Sequence, residues 1–170
     1  FIDGVKRTLP SRYSEALICD LETLCDAPYD MTAAGVGDLL AVFISLPDWK
    51  LACHLGMDDS CTNLPQMMIG PLDEILMENA ESIRQRTPEG MALLAKLISV
   101  GGIAMSLSHA TTPLSGYEHV MSHILDLLNE LRGSPLPQHG TQVSLACVLV
   151  AEAYREFLDH FDPARVNIDS

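Results

Sequence analysis

A mostly α-helical bundle with a short β-hairpin or strand remnant at its front is the fold this sequence predicts, on three observations. Apolar residues make up 48% of the chain but aromatic ones only 5%. Leu and Ala lead, which favours packed helices over a β-sandwich rich in Val, Tyr, Phe and Thr. The hydrophobic period is near two before Met31 and near 3.6 after it. Helix-start signals then recur at Pro65, Thr87-Pro88 and Ser115. At 170 residues the chain has enough length for one domain with a real core.

In order, Asp3-Gly4 reads as a hairpin turn with residues 5–9 as its outgoing strand. Phe1-Ile2 alone is too little to pair with it, so the chain is expected to continue upstream. Residues 16–19, ending at Asp20, read as a short buried strand. A helix over residues 32–46 is expected to be interrupted near Pro47, with a continuation holding Asp48, Trp49 and His54. After a polar loop over residues 56–63, a helix from Pro65 carries Met68, Leu72, Ile75, Leu76 and Ile83. Thr87-Pro88 starts a long apolar helix to about Leu107. A capped helix covers residues 115–131, and His139-Gly140 opens a last helix ending near His160. Residues 1–30 are thus assigned to a β-containing front and 31–170 to the helical domain.

The formal charge of −13 and only ten Lys and Arg residues exclude a nucleic-acid face, which needs clustered cations on phosphates. Five cysteines without a C-x-x-C pair predict a reduced, cytoplasmic chain with mostly buried thiols. No apolar run reads as a membrane span and no signal-peptide pattern is seen.

The residues with chemical potential sit at helix starts. Ser115 followed by Glu118 forms a capping box, which sets His119 and His123 one turn apart on one helix face. Two imidazoles so placed can reach one metal ion, or one can reach the metal and the other a substrate. Asp38 has Ala34, Gly35, Ala41 and Val42 as its helical neighbours, and a carboxylate on so apolar a face needs a partner. Gly35 and Gly37 cost helix stability and mark a close approach to the backbone. His139 lies at the mouth of the last helix. Asp, His and His with an open fourth position is the pattern of a catalytic zinc or ferrous site. Asp38 and His119 with either His139 or His123 are the two candidate triads.

Ala33-Ala34-Gly35-Val36-Gly37-Asp38-Leu39-Leu40, Asp48-Trp49-Lys50-Leu51, Ser115-Gly116-Tyr117-Glu118-His119 with Ser122-His123, and His139-Gly140 occur in this order. Together they resemble the glycerol-1-phosphate dehydrogenase branch of the iron-containing alcohol dehydrogenase and dehydroquinate synthase superfamily. The resemblance runs from about Ala16 to Leu158. It implies a metal, zinc or else iron or nickel, held by Asp38, His119 and His139, with His123 beside the site near substrate or nicotinamide as the catalytic residue. It also implies NAD(P), bound by a nucleotide-binding α/β domain of which residues 1–30 are a remnant and the rest is supplied in cis or in trans, while residues 31–170 are the helical metal-binding domain. The chain itself has no Gly-rich phosphate loop, and the family's last helices are expected to lie beyond Asn167.

Three positions depart from the resemblance. Val42, Thr112 and Gln142 stand where the family usually has Lys, Arg and Lys, and a phosphorylated substrate needs cationic partners. Either the phosphate is bound by parts outside this chain, or the substrate is an uncharged polyol or ketone. The expected function is therefore the metal-binding helical part of an NAD(P)-dependent polyol or polyol-phosphate dehydrogenase acting on a small molecule, alone or as a homo-oligomer. The alternative is a non-catalytic helical binding module that has lost the cofactor half and those cations.

Overall fold

The structure, a computed structural model, describes Arg12 and residues 14–162. They are mostly helical, in nine α-helices and one 3-10 turn. In order these are α1 (Leu21–Asp26), α2 (Tyr29–Leu39), α3 (Val42–His54), α4 (Asn63–Ile69), α5 (Leu72–Glu78), α6 (Ala80–Arg84), α7 (Pro88–Ser108), the 3-10 turn (Thr112–Leu114), α8 (Tyr117–Leu131) and α9 (His139–His160).

The expected strand over residues 16–19 is not formed. Residues 16–20 have no regular structure, and Leu17 and Ile18 are 62% and 93% exposed. A strand needs a neighbour for its backbone hydrogen bonds, and no described residue offers one there. Asp20 instead caps α1, its carboxylate accepting the Thr23 N–H at 3.0 Å. The expected hairpin at Asp3-Gly4 lies outside the described residues.

Pro47 does not interrupt its helix. It sits inside α3, and the bend comes at Leu40-Ala41, where the Ala41 N–H turns to the Asp38 carbonyl. That tightened turn serves two cores. Leu39 and Val42 face a cluster with Ile69, Leu76, Leu94 and Leu97. Ala41 and Ile44 face Val143, Cys147 and Val150. The single helix expected from Pro65 is three short ones. Pro71 has no N–H to continue α4, and the Asn79 side-chain amide donates to the Ile75 carbonyl where the α5–α6 junction falls. Thr87 caps α7 as its sequence implies, accepting the Gly90 N–H at 3.1 Å with Pro88 in the first turn.

Two helical stretches, Tyr29–His54 and Pro88–Ser108, are long and apolar enough to cross a membrane, which corrects the expectation of no such run. Leu, Ile, Met, Val and Ala supply the apolar length of α7, and of these Met91, Leu94 and Leu97 are buried in the core. The cysteine expectation is corrected too. Cys53 and Cys61 form a disulfide that ties the end of α3 to the loop before α4, and Cys19 is exposed. The bond links positions eight apart across a turn, a spacing with no motif of its own.

The site is positioned by how α9 crosses α2. A Cβ on Gly140 would lie 1.8 Å from the Ala34 carbonyl oxygen, and one on Gly37 would lie 2.4 Å from the Gly140 oxygen. Only glycine at both positions lets the backbones meet, and Asp38 and His139 each stand one residue from the contact. The close approach expected from the glycines of α2 is real at Gly37. At Gly35 a Cβ would touch only an Ile98 methyl at 3.7 Å.

Candidate metal centre

Asp38 from the last turn of α2, His119 from the first turn of α8 and His139 from the start of α9 converge. One donor atom from each lies within 4.8 Å of the others. Asp38 Oδ1 is 3.4 Å from His119 Nε2 and 3.5 Å from His139 Nε2. The His119 side chain is only 11% exposed, whereas those of Asp38 and His139 are about half exposed, so the cluster opens on one side.

The start of α8 departs from the expected capping box. Its N-cap is Gly116, not Ser115, and no N-cap side chain bonds the backbone. Glu118 Oε1 does reach back to the Gly116 N–H at 2.8 Å. The next N–H, that of Tyr117, donates to Asp48 Oδ2 at 2.7 Å. Asp48 also accepts the Tyr154 hydroxyl from α9, so one carboxylate of α3 ties down both helices that carry the imidazoles. Burial raises the Asp48 pKa, with the Glu118 charge adding to the rise and the Tyr117 N–H opposing it. A side chain at Gly116 would collide with Asp48, Glu118 and the Ser45 backbone.

Sequence reasoning read Glu118 only as a helix-start residue, but it is completely buried and pairs with His119 Nδ1 at 2.7 Å. Ser122 and Gln142 figured in the resemblance, but their role at the His139 ring was missed. Ser122 Oγ lies 3.1 Å from His139 Nδ1 and donates to Gln142 Oε1 at 2.8 Å. Spacing could have found that role: Ser122 lies one turn beyond His119 on α8, and Gln142 one turn beyond His139 on α9.

Burial lowers the His119 pKa, but Asp38 and Glu118 outweigh it and push it up to about 9. The contact with His119, helped by the charges of His119 and His139, lowers Asp38 against its own burial. His119 thus sits between two acidic side chains, Asp38 at Nε2 and Glu118 at Nδ1. His123 stands beside the triad, its ring centroid 6.2 Å from that of His119 and 5.8 Å from that of His139. It forms a second group with Asp126 and His139 whose donors also lie within 4.8 Å of one another. The alternative triad with His123 in place of His139 is not among the converging groups of described residues.

Asp38, His119 and His123 edge a cleft of about 700 Å³. Ile98, Met105 and Leu114 give it an apolar wall, and Thr111 and Ser115 add hydroxyls. The three positions that depart from the resemblance do not line this cleft: Val42 is in the core, Thr112 is beside Ser60, and Gln142 is buried behind Ser122.

No family model matches the chain. Curated proteins do, over nearly its whole length. A protein of Halalkalibacterium halodurans is 34% identical over 153 residues, 90% of this chain and 38% of its own length. One from Bacillus subtilis is 33% identical over 95% of this chain and 42% of its own. One from Pyrococcus furiosus is 32% identical over 87% and 41%. Each is named glycerol-1-phosphate dehydrogenase [NAD(P)+]. The chain is similar to glycerol-1-phosphate dehydrogenases. It spans about two fifths of the length of these glycerol-1-phosphate dehydrogenase relatives, 38–42%.

Proposed function

We propose that this chain is the metal-binding helical part of an NAD(P)-dependent dehydrogenase of the glycerol-1-phosphate dehydrogenase kind, interconverting a ketone and a secondary alcohol in a polyol or polyol phosphate. The observation that carries the reading is the meeting of Asp38, His119 and His139 at the edge of an open cleft. Two imidazole nitrogens and one carboxylate oxygen suit zinc or ferrous iron, and the exposed side leaves a position for substrate. A divalent cation held there supplies Lewis acidity toward a carbonyl oxygen.

The chain's own residues do the rest. Asp38 brings the negative charge that offsets a cation, and His119 and His139 bring lone pairs from rings anchored at their far nitrogens. The apolar wall of Ile98, Met105 and Leu114 keeps bulk water from one side of the reacting carbon. When bound, reduced NAD(P) would supply hydride to that carbon, and a proton must then reach the oxygen. His123, on the cleft edge and one turn from His119, is placed to deliver it and, in the reverse direction, to accept it.

Elemental analysis tests the metal. The purified, dialysed chain is expected to retain about one equivalent of zinc, or to take it up, and His119→Ala and Asp38→Ala are each expected to lose it. Equal zinc in the parent and both variants sinks the reading.

A further inference from the structure

Each imidazole of the triad is gripped at the nitrogen that faces away from Asp38. Glu118 Oε1 takes His119 Nδ1 at 2.7 Å, and the carboxylate has no exposure at all. Its other oxygen, Oε2, has no hydrogen-bond partner. A buried carboxylate left half unsatisfied is costly, so its retention beside His119 calls for a role beyond packing. On the other ring, the single Ser122 hydroxyl hydrogen goes to Gln142 Oε1, which leaves Ser122 Oγ to accept from His139 Nδ1. Ser122 is wholly buried and Gln142 nearly so. Both grips come from α8, the second backed by Gln142 of α9, and with different chemistry they give one result. Both grips offer an acceptor to Nδ1 and so favour hydrogen there, and both rings direct Nε2 at the same Asp38 oxygen.

We propose that Glu118 and the Ser122–Gln142 pair are positioning residues that hold His119 and His139 in the orientation and tautomer in which both Nε2 atoms can ligate one cation with Asp38. The inference rests on the metal reading above and adds the residues that make the site competent. Neutral imidazole in water samples both tautomers and all ring orientations, so an acceptor fixed at Nδ1 removes the states that cannot ligate. Gln142 has a further part. The resemblance expects Lys there, and Lys has no acceptor to receive the Ser122 hydroxyl. The glutamine oxygen sets the direction of this hydrogen-bond chain in the present sequence.

Zinc binding to the metal-free chain, measured by calorimetric titration at one pH, separates the possibilities. Glu118→Ala and Ser122→Ala are each expected to weaken zinc by about 10–100-fold. Glu118→Gln, which keeps an acceptor oxygen, is expected to stay within a few-fold of the parent. Ser122→Ala guards against loss of folding at Glu118, since Ser122 contributes nothing to the start of α8. Circular dichroism identical to the parent qualifies each variant. A folded Glu118→Ala or Ser122→Ala that holds zinc as tightly as the parent overturns the proposal, as does a Glu118→Gln as weak as Glu118→Ala. A parent that takes up no zinc fails the metal reading instead, a result visible before any variant is compared.

Discussion

His119 holds its extra proton because two carboxylates face it, one at each nitrogen. The sign of its effect on stability follows from its pKa of about 9 in the folded chain against 6.5 for an ordinary histidine. A proton bound more tightly when folded stabilises the fold fully below the ordinary value, and that contribution fades as pH rises through the folded one. Asp38, with its depressed pKa, acts at the opposite end: its contribution is present above its ordinary value of 3.8 and is lost as pH falls through its folded pKa. The metal-free chain is therefore expected to melt at lower temperature at pH 9.5 than at pH 6.5. Zinc must displace the Nε2 proton, so its affinity is expected to rise over the same window. Thermal melts and zinc titrations across that range check both, and two flat profiles contradict the assignment. At this scale the converging cluster was legible in the sequence, because Asp38, His119 and His139 are wrong residues for their surroundings or stand at helix starts. Their supporters were not. Ser122 reaches His139 across 17 positions, a contact that exists only once α8 and α9 pack.

The helices make the site through one crossing. Gly37 and Gly140 let α2 and α9 touch backbone to backbone, and that contact sets how far His139 stands from Asp38. Gly140→Ala is expected to destabilise the chain by about 1–3 kcal/mol through overpacking. That lowers the melting temperature by roughly 2–4 °C per kcal/mol, and the variant should weaken zinc as well, although residue 140 is no ligand. Gly102→Ala is the control. Its Cβ would meet nothing within 4 Å in the middle of α7, so it should be neutral or stabilising in calorimetry. Equal melting of Gly140→Ala and the parent would show that the crossing is not tight. Most helices were legible from period and caps. Their breaks were less so, because Pro47 is tolerated inside α3 while Leu40-Ala41 bends to face two cores, a demand of the tertiary packing alone.

Over the whole molecule, the helical class was legible from composition and period, and the strand at the front was not realised. Residues 16–19 have the apolar run of a buried strand, but a run becomes a strand only when another backbone lies beside it. The Cys53–Cys61 bond was equally hidden, since its two positions are brought together by the turn between them. Asp38 and His119 are separated by 80 intervening residues, and the helices that hold them belong to different parts of the chain order. An ion joining them acts as a staple across that long segment, and such closures limit the freedom of the open chain. Zinc at a hundredfold excess over its Kd adds about 2.7 kcal/mol to global stability. The local share of that gain should be uneven. Amide hydrogen exchange is expected to slow most in α2, α8 and the first turns of α9 when zinc is added. In α4 to α6, which lend no ligand, protection that breaks by local opening should stay as it was. Uniform slowing across all helices would mean that the chain opens only as a unit, with the staple felt everywhere at once.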